Sequence, residues 1–112
     1  MPVYGYEMDD GDPPPNTQTV PAGAQHASDP WDLTPATGLD ANMQVLQQQE
    51  IAYVTTFART GDPTAQNTPI WPEFNTSAVI SLAPGGDSQS MSIAQIEQDH
   101  NCGFWDRIAP RH

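Results

Sequence analysis

Basic residues are scarce in this chain, which has only 3 Lys and Arg together against 14 Asp and Glu in 112 residues. The formal net charge at pH 7 is therefore -11, and the sequence pI is about 4.1. Proteins that bind nucleic acid or anionic membrane surfaces neutralise phosphates with clustered Lys and Arg, which are lacking here. We therefore expect no nucleic acid and no membrane among its partners.

Long apolar runs are also lacking, since no stretch of the sequence approaches the roughly 20 residues that a membrane-spanning helix needs. The N-terminus does not resemble a signal peptide, because Pro2 follows Met1 directly and no basic region is present. A secreted location would follow only if a longer parent chain carries a signal peptide. Cys102 is the single cysteine, so an internal disulfide is excluded and the redox compartment stays open.

The apolar content is low as well, at 37% of residues, and 12 Pro and 8 Gly are present. This composition is typical of a loop-rich chain with a small core. The three Trp, three Tyr and three Phe argue against simple disorder, because disordered segments contain few aromatic residues. An acidic, largely disordered protein is nevertheless one hypothesis that the composition allows.

The first part of the chain predicts a strand followed by loops. Residues 2–8 alternate β-forming side chains with small or polar ones, which predicts a strand. Residues 9–21 are rich in Asp, Gly and Pro and can continue neither a helix nor a sheet. His26 follows in a loop among small residues, and its spacing alone indicates an ordinary exposed histidine.

A long helix is predicted from about residue 40 to residue 60, because apolar residues recur there on one face at the 3.6-residue period. These residues are Leu39, Met43, Leu46, Tyr53, Val54 and Phe57. Asp40 is expected to cap the N-terminus of this helix, and Arg59 together with Gly61 indicates where the helix ends. Glu50 interrupts the apolar face, and we expect it to reach a rim or a local donor rather than to act in catalysis.

The last third of the chain predicts three further elements. Residues 68–74 form an irregular loop anchored by aromatic residues. Residues 79–82 and 91–93 are expected to pair as short strands around a turn at Pro84-Gly-Gly-Asp87. Residues 99–108 predict a short helix with Cys102, Trp105 and Ile108 roughly on one side.

Four stretches of the chain carry a family resemblance. They are Pro2-Val-Tyr-Gly-Tyr-Glu7, Gly23-Ala-Gln-His-Ala-Ser-Asp29, Phe57-Ala-Arg-Thr-Gly-Asp-Pro63 with Trp71-Pro72, and Asp99-His-Asn-Cys-Gly-Phe-Trp-Asp106. In this order they resemble a late core strand, the histidine loop, a helix end with its following loop, and the C-terminal helix of the type-B carboxylesterases. That family includes cholinesterases and para-nitrobenzyl-type esterases. The chain departs from it at Pro30-Trp-Asp-Leu-Thr34, where the family usually has an apolar run.

The resemblance implies an α/β fold, specifically the C-terminal fragment of an α/β-hydrolase fold. Its parts would be a core strand, the histidine loop, a long amphipathic helix, a short β-hairpin and a short C-terminal helix. Residues 1–112 would then be the C-terminal part of a type-B carboxylesterase domain. The serine elbow, the acidic triad member and the oxyanion donors would lie upstream, and no Gly-x-Ser-x-Gly motif occurs in this chain.

The resemblance identifies His26 as the catalytic histidine, the general base and acid of serine-dependent ester hydrolysis. An imidazole titrates near neutrality, so it can take the proton of the serine and return it to the leaving alcohol. The substrate would be a small-molecule carboxylic ester, and the isolated chain would be inactive without the upstream part of the fold. Asp29 matches an acidic position of the loop and is expected to be structural. Cys102 resembles a cysteine that forms a disulfide in cholinesterase-like relatives, while a free, part-buried thiol is equally consistent.

We expect no cofactor and no metal, because His26, His100 and His112 do not have the spacing of metal ligands. A second hypothesis makes the chain non-catalytic. It would then be an esterase-like binding module or an inert truncated remnant, and the retained His26 argues mildly against the binding module.

Overall fold

The structure is a computed structural model, and it describes residues 1–9 and 39–109. Three strands and three α-helices occur in these residues. They are β1 (Tyr6–Met8), α1 (Ala41–Thr60), β2 (Ala78–Leu82), β3 (Gln89–Ser92), α2 (Ile93–Asp99) and α3 (Cys102–Ile108). Helices combined with a small mixed sheet place the chain in the general α/β class, as the sequence predicts.

The strands form one three-stranded sheet in the order β1-β2-β3. β1 runs parallel to β2, with Tyr6 opposite Ile80 and Met8 opposite Leu82. β2 and β3 are antiparallel, so they form the hairpin that the sequence predicts. Since β1 and β2 are parallel, their carboxyl ends lie at the same edge of the sheet.

The hairpin turn lies at Pro84-Gly-Gly-Asp87, where both glycines have positive φ values of 71° and 81°. These values fall in the left-handed region, which glycine adopts without a steric cost. The second strand ends at Ser92 instead of continuing to Ile93. The reason is a local cap: the Ser92 side chain accepts a hydrogen bond from the backbone N–H of Gln95 at 3.2 Å, which starts α2.

Both predicted end signals of α1 are confirmed. Asp40 Oδ1 accepts a hydrogen bond from the backbone N–H of Met43 at 2.9 Å, as an N-cap does. At the other end Gly61 has a φ of 80°, and its N–H donates to the carbonyl of Phe57 at 2.8 Å. The helix therefore begins and ends within one residue of its predicted bounds.

A small core joins α1 to one face of the sheet. Leu46 and Tyr53 of α1 are fully buried against Ile80 and Leu82 of β2, and Met8 packs against this cluster. Successive side chains of a strand point to opposite faces. Glu7, which lies between Tyr6 and Met8 in β1, therefore faces away from α1.

The strand predicted over residues 2–8 is shorter in the structure, where only its second half forms β1. Ahead of β1, Tyr4 makes a single antiparallel bridge to Glu73, and the N–H of Phe74 donates to the carbonyl of Val3 at 2.7 Å. The first residues of the chain thus pair with the segment before β2 and not with β2 itself.

The predicted apolar face of α1 is only partly buried. Val54 and Phe57 are 50% and 49% exposed, although the period places them beside Leu46 and Tyr53. Both lie in the second half of α1, where Phe57 makes an edge-to-face contact with the ring of Tyr4 at 6.1 Å. This side of α1 is therefore only partly covered.

The short helix predicted over about residues 99–108 forms as α3, which starts later, at Cys102. The sequence analysis missed α2 ahead of it, and His100 closes α2 by donating its N–H to the carbonyl of Ile96 at 2.9 Å. Asn101 then adopts a left-handed conformation with a φ of 54°, which asparagine tolerates better than most residues. α3 follows with no buried residue, so Trp105 on its predicted apolar side is exposed.

Candidate functional site

His26 and Asp29 lie in residues 10–38, outside the described residues. The described parts on either side of them are the end of β1 at Met8 and the start of α1. The N–H of Asp9 donates to the carbonyl of Leu82 at 2.8 Å, which ties the exit of β1 to the end of β2. The chain therefore enters the histidine segment from the carboxyl edge of the two parallel strands.

An apolar groove with a volume of about 360 Å³ lies between α1 and the first residues of the chain. Five aromatic side chains line it: Tyr4, Tyr6, Tyr53, Phe57 and Trp71. We call it the aromatic groove. Among the described residues, its lining contains no Asp, Glu, Lys, Arg or His, so these residues offer apolar contact and shape but no acid–base group at neutral pH.

Hydrogen bonds fix the wall of the aromatic groove. Trp71 Nε1–H donates to the carbonyl of Gly5 at 2.9 Å, and the hydroxyl of Tyr53 donates to the carbonyl of Pro69 at 2.8 Å. The Tyr53 and Trp71 rings meet edge to face, with centroids 5.2 Å apart and planes at 88°. This geometry is a favourable one for aromatic pairs and holds the loop before β2 against α1.

Tyr53 and Tyr4 of the groove are proton donors and not bases at neutral pH. Burial raises the pKa of Tyr53 above its usual value of 10.0, and a hydrogen bond with Thr68 acts in the opposite direction. Burial also raises the pKa of Tyr4, with the carboxylates of Asp62 and Glu73 adding to the effect. Neither phenol is therefore ionised near pH 7, and neither can act as a general base.

Glu50 is buried, with 4% of its surface exposed, between Leu46 and Tyr53 along α1. It lines a second cavity of about 80 Å³, which shares Tyr6, Val54 and Trp71 with the aromatic groove. Of the two expectations for Glu50, the rim is therefore wrong, and the local donor stays a prediction. One helical turn separates it from each buried neighbour, so the apolar period carries it inward along with them.

A second group of polar residues lies on the sheet face opposite α1. It consists of Glu7, Asp9, Ser81 and His100, and we call it the polar cluster. His100 Nε2 contacts Glu7 Oε1 at 2.5 Å, and the hydroxyl of Ser81 donates to the carboxylate of Asp9. Among these side chains the serine pairs with one carboxylate and the histidine with another. The cluster therefore does not have the serine–histidine pairing of a hydrolytic triad.

The sequence analysis missed the polar cluster, although part of its signal is local. The alternation along β1 places Glu7 and Asp9 on one side of the strand, opposite Tyr6 and Met8. No local pattern identifies their partners. His100 is 93 residues from Glu7 in the sequence, and the contact depends on how the tail folds back.

Cys102 is a free, half-buried thiol at the start of α3. Within residues 1–9 and 39–109, no group of three or more His, Cys, Asp and Glu side chains could hold a metal ion. No helix in the described part of the chain is long and apolar enough to cross a membrane. No protein-family model matches the sequence.

Proposed function

We propose that this chain is the C-terminal part of a carboxylic-ester hydrolase of the type-B carboxylesterase kind, with an α/β-hydrolase fold. His26 is its general base and acid, and the serine and the triad acid come from the upstream part of that fold. The observation that carries the proposal is the loop Gly23-Ala-Gln-His-Ala-Ser-Asp29, one of four family-like stretches in family order.

The point at which the chain leaves β1 supports this proposal. Open α/β sheets bind their ligands beyond the carboxyl ends of the strands. The segment with His26 follows the carboxyl end of β1, at the edge that β1 shares with β2. A ligand at that edge would lie next to the point where the chain leaves β1 for the segment that contains His26.

The chemistry proposed for His26 is proton transfer. The imidazole takes the proton of the serine hydroxyl as the serine oxygen bonds to the ester carbonyl carbon. The same proton then passes to the leaving alkoxide as the carbon–oxygen bond of the ester breaks. In the second half of the cycle the imidazole takes a proton from a water molecule as the water oxygen bonds to the acyl carbon. The imidazole then returns that proton to the serine oxygen as the acyl–serine bond breaks and the acid leaves. The substrate is a small-molecule carboxylic ester, and no metal or cofactor is needed.

Exposed apolar side chains beside the aromatic groove support the proposal that an upstream part of the fold packs against this chain. Val3, Val54 and Phe57 are each about half exposed or more beside the aromatic groove. A contiguous apolar surface of this kind is typical of a site that another part of a protein covers. The upstream part of the fold is the partner that the proposed function requires.

A second candidate function is a non-catalytic, esterase-like binding module. The aromatic groove favours it, because an apolar groove with no Asp, Glu, Lys, Arg or His among its described lining residues suits ligand binding without chemistry. The two candidates differ in their requirement for His26, which a binding module does not need.

The proposal is tested first by assaying the chain alone with para-nitrophenyl esters. We expect hydrolysis no faster than that by free imidazole at the same histidine concentration. The chain has no serine elbow, and one oxyanion-hole donor alone is worth about 3 kcal/mol of transition-state stabilisation. Saturable turnover that disappears in His26→Ala would contradict the proposal that the nucleophilic serine comes from an upstream part. It would require another nucleophile within this chain.

A further inference from the structure

The tail of the chain bends at a two-residue junction between α2 and α3. His100 ends α2, and Asn101 takes a left-handed conformation with a φ of 54°. The carbonyl of Asn101 then accepts a hydrogen bond from the N–H of Phe104 at 2.9 Å, which starts α3. The junction is therefore a defined bend, and the direction of α3 depends on how His100 is held.

Apolar packing does little to hold this tail. Neither α2 nor α3 contains a buried residue, and Trp105 and Ile108 are 58% and 62% exposed. The start of α2 is fixed, because the N–H of Ile93 donates to the carbonyl of Ser77 at 2.9 Å. Seven residues later, the side chain of His100 contacts Glu7 of β1. This polar contact ties the bend to the sheet.

We propose that Glu7 and His100 form a pH-sensitive latch that holds the α2–α3 tail on the sheet face opposite α1. The histidine closes the latch as an imidazolium ion paired with the Glu7 carboxylate. It weakens the latch by losing its proton, after which the neutral imidazole N–H donates to a Glu7 carboxylate that is still charged. The Coulomb attraction between two opposite charges is then lost, so the tail is held less firmly in the neutral state.

The groups that face His100 favour its protonated form. The hydrogen bond with Glu7 and the charge of that carboxylate raise the pKa of His100 above 6.5, whereas partial burial lowers it. Asp99 on α2 and Asp9 after β1 add smaller effects in the raising direction. From α3, neither Asp106 nor Arg107 contributes to this shift. Among the described residues, the charges that shift the pKa of His100 are thus negative.

The direction of the pH dependence follows from this shift. A histidine whose pKa is higher in the folded chain than in the unfolded chain stabilises the fold fully below about pH 6.5. That contribution is lost as the pH rises through the raised pKa of His100. The latch is therefore closed in mildly acidic solution and weakens toward alkaline pH.

The test follows the histidine ring signals of the full chain by NMR across pH, with His100→Gln identifying the His100 signal. We expect a pKa above 6.5 for His100 in the unmodified chain, and a lower pKa in Glu7→Gln. Glu97→Gln is the matched control, because it removes one carboxylate from α2 without touching this contact. That control is expected to leave the pKa of His100 nearly unchanged.

Hydrogen exchange measures the latch itself. Protection factors of α3 amides, which are corrected for intrinsic exchange, should fall between about pH 5.5 and pH 8.5 in the unmodified chain. The fall should be absent in His100→Gln and retained in Glu97→Gln. A His100 pKa at or below 6.5 in the unmodified chain would overturn the proposal without any variant. An unchanged pH dependence of α3 protection in His100→Gln would overturn it as well.

Discussion

At the residue scale, a few buried side chains make much of the contact between α1 and the sheet. Substituting a buried residue and its exposed neighbour on α1 separates the effect of burial from the effect of helix propensity. Leu46 is fully buried, whereas Val45 beside it is 39% exposed. We expect Leu46→Ala to lower the free energy of unfolding by about 2–5 kcal/mol, because it removes apolar contact and leaves a cavity. Val45→Ala should change it by no more than about 0.5 kcal/mol.

Urea denaturation followed by the helical circular dichroism signal measures both variants. In a chain with a small core, the loss in Leu46→Ala is expected to leave little helical signal even without urea. Equal effects of the two substitutions would show that α1 does not pack on β2 as described.

At the residue scale, local signals in the sequence found some contacts and could not find others. Asp40 and Gly61 were predictable, because a cap acts within a few residues of its own position. Glu50 was placed on the correct face but not at the correct depth, since depth depends on what packs above the helix. The pairing of His100 with Glu7 was not predictable, because it joins distant parts of the chain.

At the element scale, the two ends of α1 give a sharp test. Gly61 has a φ of 80°, and a side chain there meets no atom within 4 Å, so its substitution tests backbone strain without a clash. We expect Gly61→Ala to destabilise the chain by about 1–2 kcal/mol, the cost of a left-handed conformation for an L-residue. Gly103→Ala is the control, because it lies inside α3 in equally open space.

The control should change stability with the opposite sign. Alanine is favoured over glycine in a helix interior by about 1 kcal/mol, so Gly103→Ala should be neutral or stabilising. The midpoints of urea unfolding compare the two variants. A stabilising effect of Gly61→Ala would contradict the left-handed C-cap of α1.

The sequence predicted an element well where its apolar periodicity and the residues that mark its ends indicated the same bounds. It predicted an element less well where only the periodicity was present. α1 and the β2–β3 hairpin follow their patterns closely. The first strand is shorter than its alternation suggests, because Tyr4 pairs with Glu73 ahead of β2. The short helix of the tail forms as α3 but starts at Cys102, after the left-handed Asn101, and α2 ahead of it was not predicted.

At the scale of the whole molecule, the α/β class was predictable from the sequence, whereas the surroundings of His26 depend on residues outside the described ranges. The described core is small and consists of a few side chains of α1 and β2. Small cores rarely contribute more than a few kcal/mol of net stability. We expect a broad, weakly cooperative thermal transition for the chain alone and binding of an apolar dye to the surface around Val54 and Phe57.

Calorimetry and dye fluorescence over a range of protein concentrations measure this behaviour. The upstream part of a type-B carboxylesterase should sharpen the transition and reduce dye binding, because it covers the apolar surface. A sharp transition that does not depend on concentration would indicate an autonomous domain. That result would favour the binding module over the ester hydrolase.

The most direct measurement is ester hydrolysis after the chain is mixed with an upstream part that carries the serine elbow and the triad acid. We expect saturable turnover of a para-nitrophenyl ester by the mixture and by neither part alone. His26→Ala should abolish that turnover, whereas His100→Gln should retain it, because only His26 matches the catalytic loop. Turnover that survives in His26→Ala, or a folded mixture with no turnover at all, would contradict the proposed role of this chain.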